Sequence, residues 1–136
     1  MVNMVPIPLR GPHMNRFLFS LSLFLVTTQA WANGEATYTQ VCAACHAQGA
    51  AGAPKTGDAK AWGKLIKEGQ VNLTGDGYVG VRAMPARGGK PDLSVADFAD
   101  AVVHMANQAG ANWRSPDEAM LKKIEQRIAK RSQAKK

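Results

Sequence analysis

The sequence predicts an all-α fold, three to four short helices in one small domain followed by an additional basic helix at the C-terminus. Capped segments carry apolar residues at helical spacing, and no run alternates convincingly as a strand. A length of 136 residues with two cysteines allows one small domain and excludes a multidomain enzyme or a disulfide framework.

Residues 1–32 have the pattern of a secretory signal. Arg10 and Arg16 precede an apolar run from Phe17 to Val26, and Ala30-Trp31-Ala32 supplies a small-x-small cleavage site. The run is well short of the ~20 apolar residues that a membrane span needs. The expected mature chain therefore starts at Asn33 and is exported to the periplasm, with Met1 and Met14 both open as the start of the signal.

From Gly34 to Val41 a helix is expected to lead into Cys42-Ala43-Ala44-Cys45-His46, placing Tyr38 one turn before Cys42. C-x-x-C-H is the attachment signature of c-type haem. Two thiols three positions apart can add to the two vinyl groups, and the adjacent imidazole then lies under the ring as an iron ligand. Two rival uses fit less well. A thioredoxin-like dithiol would need a βαβ context that the Ala- and Gly-rich flanks do not offer. A zinc site from Cys42, Cys45, His46 and His104 matches no common zinc spacing.

The composition of residues 33–113 agrees with a prosthetic group. Leu, Ile, Val and Phe number twelve in these 81 residues, about 15%, which is below the level of a self-sufficient core. Twelve glycines in the same stretch raise the entropy cost of ordering it. Haem is expected to supply the missing apolar surface.

Further along, Asp58 is placed to cap a helix from Ala59 to Glu68 that stops at Gly69. Segment 72–80 is loaded with glycine, so any helix there is expected to be brief or irregular. Residues 82–89, RAMPARGG, form a loop in which Pro85 limits the backbone after Met84 and Gly88-Gly89 lets the chain turn away. Such stiffness is what a thioether needs to hold iron against water. Ser94-Val95-Ala96-Asp97 resembles a capping box and opens a helix to Gln108, with Val95, Phe98, Val102 and Met105 in one stripe and Gly110 as the stop.

These stretches together resemble the class I c-type cytochromes, most nearly the cytochrome c5 group. The likeness rests on GEATYTQVCAACHAQGAAGAPKTGD, AMPARGGKPDLS and ADAVVHMANQAG, which cover most of residues 34–110. It implies one covalent haem c on Cys42 and Cys45, with His46 and Met84 as axial iron ligands and the Pro54 carbonyl accepting the His46 Nδ1 proton. His104 is the alternative sixth ligand, although the family usually places an aromatic residue there. Met105 falls on the apolar stripe and Met120 in the tail. The second cysteine pair that many cytochrome c5 proteins carry after the methionine loop is absent, leaving Pro85 and Pro91 to stiffen it.

Charge divides the chain more sharply than its formal sum of +7 suggests. Residues 33–113 carry seven basic and seven acidic side chains, whereas residues 114–136 carry eight basic and three acidic ones. Ser115 as N-cap and Pro116 at the first helical position open a basic amphipathic helix with Leu121, Ile124 and Ile128 in line and a frayed end. This tail is expected to be either a solvated extension or a docking element for an acidic redox partner or an anionic membrane surface. Arg82, Arg87 and Lys90 around the methionine loop are candidates for steering an acidic partner. Nucleic acid is not an expected partner of an exported protein.

The resemblance implies a monohaem electron carrier rather than an enzyme, cycling iron between two oxidation states. The alternatives are a haem-bearing subunit or docking module of a larger respiratory oxidoreductase and, more remotely, a haem sensor with a labile sixth ligand. The shortage of aliphatic residues yields a direct prediction. Haem-free protein should be largely unfolded over residues 33–113, seen as loss of most of the helical far-ultraviolet circular dichroism of the haem-loaded form.

Overall fold

The computed structural model describes residues 31–135, so the export signal expected over residues 1–32 lies outside the described residues except for its last two positions. Described residues form four helical runs and a fifth, C-terminal helix, with no strand beyond an isolated bridge between Val81 and Met84. This is the small all-α architecture expected.

The first run joins α1 (Trp31–Thr37), a π-helical turn (Tyr38–Cys42) and α2 (Ala43–His46). In the widened turn the Ala43 amide bonds the Tyr38 carbonyl, five residues back. Tyr38 and Cys42 are therefore linked by a π turn rather than by the regular α turn expected. The second run, α3 (Ala59–Lys67), begins where anticipated, with Asp58 Oδ1 accepting from the Lys60 and Ala61 amides at 3.0 Å each.

The next helix, α4 (Gln70–Val79), corrects the expectation of a brief or irregular segment. Its glycines do not break it because neighbours use the space they leave. A Cβ at Gly75 would stand 2.5 Å from Arg127 Cγ, and one at Gly77 would stand 3.3 Å from Phe98 Cζ. Tertiary packing thus outweighs the poor helix propensity of the sequence.

After the methionine loop, α5 (Val95–Gln108) is capped by Ser94, whose Oγ accepts from the Asp97 amide at 3.0 Å. It is the central helix of the core. Phe98, Ala99, Ala101, Val102, Met105 and Ala106 are all buried along it. Two apolar clusters result. One gathers Cys42, Trp62, Met105 and Ala106, and the other Tyr78, Leu93, Phe98 and Val102. Val41, Leu73 and Trp113 pack against both.

The last helix, α6 (Glu118–Ala134), starts later than expected. Asp117 is its N-cap, with Oδ1 accepting from the Met120 amide at 2.8 Å, while Ser115 lies beside Asp100. Nor is the segment a free extension with a frayed end. Ile124 is fully buried, Ile128 packs on the Tyr78 and Phe98 cluster, and Lys135 Nζ donates to the Val79 and Gly80 carbonyls at 3.0 and 2.7 Å. The apolar stripe read from the sequence is the face that docks on α4.

Helices α1 and α5 cross so closely that a Cβ at Gly34 would stand 2.5 Å from the Asp100 carbonyl oxygen. Close packing there leaves Asp100 Oδ1 buried without a hydrogen-bond partner. Burial pushes the Asp100 carboxyl above its ordinary value of 3.8; the Ser115 hydroxyl opposes that shift and the Asp97 charge adds to it. A carboxyl that holds its proton more tightly when folded costs stability as pH rises above the unfolded value. Asp100→Asn should therefore raise the thermal unfolding midpoint at neutral pH, with the gain vanishing as pH falls below 3.8. Unfolding scans across pH test this, and a gain independent of pH would refute the burial origin.

Candidate functional site

His46 ends α2, inside the first helical run, and is 6% exposed. Its Nδ1 lies 2.9 Å from the Pro54 carbonyl oxygen. That oxygen can only accept, so Nδ1 carries a proton, and in the neutral ring the lone pair lies on Nε2. The 47–58 loop is closed on this histidine by two more bonds. The Thr56 amide donates to the His46 carbonyl at 2.7 Å, and Trp62 Nε1 donates to the Lys55 carbonyl at 3.0 Å. Trp62 is 3% exposed, with its ring centroid 6.2 Å from that of His46.

The two thiols differ in surroundings. Cys42 is buried in the cluster with Trp62 and Met105, and desolvation pushes its thiol up to about 11, whereas Cys45 is exposed. Both are free. Among the described residues no group of three or more His, Cys, Asp or Glu is disposed to hold a metal ion, which leaves the zinc alternative without support.

Met84 stands on a loop whose form depends on α4. Gly80 ends that helix with φ of +90°, and a Cβ there would stand 2.9 Å from both the Met84 carbonyl oxygen and the Ala86 nitrogen. Only glycine admits this approach. The Met84 amide donates to the Val81 carbonyl at 2.8 Å, and Arg82 and Arg87 take left-handed conformations on either side, with φ of +50° and +55°. Two non-glycine residues in that region mark a backbone held by its surroundings. Half-buried Met84 packs on the Tyr78, Leu93, Phe98 and Val102 cluster. A Cβ at Gly88 would meet Val41 Cγ1 at 3.0 Å, so the loop lies against the residue that precedes Cys42.

Other residues singled out in the sequence fall elsewhere. The His104 ring stacks on Tyr38 with centroids 5.0 Å apart and lines a cleft with Gly34, Glu35 and Asp100. Met105 is buried in the core, as its place on the stripe implied. Arg87 lies 5.2 Å over the Tyr78 ring and donates to the Pro91 carbonyl, and Lys90 pairs with Asp92 at 3.3 Å. Arg82, Arg87 and Lys90 are all exposed.

Two contributors went unrecognised in the sequence, Trp62 and Tyr78. Trp62 ties the Lys55 carbonyl to α3, and Tyr78 donates from its hydroxyl to the Leu93 carbonyl at 2.9 Å, bracing the far end of the methionine loop. A lone aromatic in each helix gave no periodic signal beyond that of core packing.

The arrangement fits a haem group. An imidazole with its Nε2 lone pair free, two unpaired thiols one helical turn apart and a thioether on a braced loop form a soft, nitrogen-and-sulfur donor set. Comparison with known proteins agrees. The family model described as cytochrome c oxidase, cbb3-type, subunit III matches residues 29–105. Cytochrome c-555 of Chlorobaculum thiosulfatiphilum is 43% identical over 82 residues, spanning 57% of this chain and 95% of that protein. Cytochrome c-555 of Prosthecochloris aestuarii is 39% identical over 85 residues, covering 57% of this chain and 86% of its own. A cytochrome c solved in an electron-transfer complex with nitrite reductase is similar at a TM-score of 0.55 and 39% identity, over 57% of this chain and 94% of that one. Matched over more than half its length by the family model, the chain belongs to that family of class I c-type cytochromes, electron carriers with covalently bound haem c.

Proposed function

We propose that the protein is a periplasmic monohaem carrier whose iron is held by His46 and Met84. Cys42 and Cys45 tether the haem through thioether bonds to its two vinyl groups. When bound, the haem supplies a one-electron Fe(III)/Fe(II) couple. His46 offers Nε2 to iron, held in place by the bond from Nδ1 to Pro54, and that bond carries the assignment. The Met84 loop would offer a thioether as the second iron ligand, and a soft ligand of this kind favours the reduced state. With His46 and Met84 both serving as ligands, the chain would leave no iron position open to a substrate. Residues 1–32 support export, since they have the pattern of a signal and thiol attachment of haem suits an extracytoplasmic compartment.

Arg82, Arg87 and Lys90 project from the surface beside the methionine loop and are placed to steer an acidic redox partner towards the haem edge. The complex of the similar cytochrome with nitrite reductase supports a reductase as one class of redox partner. A second reading is favoured by the description of the matched family, in which the chain is the haem subunit of an oxidase. A carrier should stay monomeric and freely diffusing at dilution, whereas a subunit should co-purify in a constant complex.

Covalent haem should survive denaturation and add its mass to the mature chain. The weak ferric absorption near the red end of the visible range should be lost in Met84→Ala and kept in His104→Ala. Met84→Ala should also bind carbon monoxide readily when reduced, as the parent should not. A parent spectrum without this band, altered by His104→Ala and not by Met84→Ala, would transfer the sixth ligand to His104.

A further inference from the structure

The C-terminal helix lies beyond residues 29–105 matched by the family model, yet polar contacts join it to α4 and to Gly80, the residue that abuts the methionine loop. Arg127 forms a bidentate pair with Asp76 on α4, Nε to Oδ1 at 2.6 Å and Nη2 to Oδ2 at 2.7 Å. Arg131 Nε sits 3.3 Å from the same carboxylate. The stem of Arg127 fills the space left by Gly75, so a side chain at that position would push the helices apart. One turn further, Lys135 Nζ donates to the Val79 and Gly80 carbonyls. These are the final carbonyls of α4, which have no partner within the helix, and a cation there also suits the helix dipole. Gly80 is in turn the residue pressed against the Met84 and Ala86 backbone.

We propose that α6 is a strap that positions the Met84 loop, with Arg127 fixing α4 and Lys135 fixing the exit from it. Resting on the assignment of Met84 as sixth ligand, the strap limits how often the loop opens and hence how readily an outside ligand replaces the thioether. Ile128 adds an apolar contact to the cluster on which Met84 packs. Arg127 and Lys135 are positioning residues, since neither reaches the loop's side chains.

The test uses haem-loaded, full-length protein and two readouts. Lys135→Met and Arg127→Met should each accelerate imidazole binding to the ferric form roughly tenfold, the scale of a lost charge-assisted hydrogen bond, while Lys135→Arg should restore parental rates. Amide exchange should quicken in residues 81–89, including the Met84 amide bonded to Val81, and stay unchanged in α3, to which no hydrogen bond or ion pair runs from α6 among the described residues. Unchanged imidazole binding in both methionine variants would overturn the strap. Equal acceleration of exchange in residues 59–67 and 81–89 would also overturn it, showing a general brace on the fold. Failure of the ligand assignment is seen separately, as a Met84→Ala protein that keeps its ferric spectrum. Even then the exchange of residues 81–89 decides whether α6 holds the loop.

Discussion

The hydrogen bond from His46 to the Pro54 carbonyl is the constraint on which the haem side of the molecule depends. It fixes the tautomer, the orientation of the ring and the path of the intervening loop together. Proline suits the acceptor position because its restricted φ holds the carbonyl direction with little entropy left to lose. The bond is supported from outside the loop, through the Trp62 indole that binds the next carbonyl, at Lys55. Trp62 stands on α3, and α3 is started by Asp58 just beyond the loop. A cap, a helix and one buried indole therefore serve a single imidazole.

The methionine side is built differently. His46 belongs to a helix, whereas Met84 belongs to a loop with two non-glycine residues at positive φ. A left-handed conformation of such a residue costs roughly 1–2 kcal/mol, so the loop persists only because contacts on several sides impose it. Gly80 presses on it from α4, Tyr78 binds the Leu93 carbonyl beyond it, and Arg87 closes over the Tyr78 ring. Stiffness comes from packing and hydrogen bonds rather than from the two prolines alone. The two proposed ligands thus differ in how they are restrained, the imidazole by its helix and the loop just after it and the thioether by packing that reaches Val41 and Phe98, far away in sequence.

Much of this was legible in the sequence because it depends on local chemistry. Asp58 and Ser94 announced their helices through side chains that satisfy nearby amides, and the Phe98, Val102 and Met105 stripe announced the buried face of α5. The C-x-x-C-H spacing singled out Cys42, Cys45 and His46 as the candidates for holding haem. The errors arose where long-range packing decided the outcome. Gly75 and Gly77 read as helix breakers until Arg127 and Phe98 were seen to occupy their space. Ser115 read as a cap, but Asp117 is nearer the helix and Ser115 is drawn to Asp100, in another element. A sequence displays the residues that a glycine lacks room for only when both partners are known.

Charge follows the same logic. The excess of cations in residues 114–136 suggested a sticky tail, yet Arg127 and Arg131 converge on Asp76, and Lys135 is spent on helix carbonyls. The Arg127–Asp76 pair is worth more than the median surface pair, because its geometry is bidentate and both side chains are partly desolvated. Lys122, Lys123 and Lys130 remain exposed on the face of α6 opposite Ile124. The helix is therefore two-sided in charge as well as in hydropathy, with one set of cations holding the domain together and the other set open to an anionic surface. Docking there would leave the strap intact, since no exposed lysine on that face takes part in it.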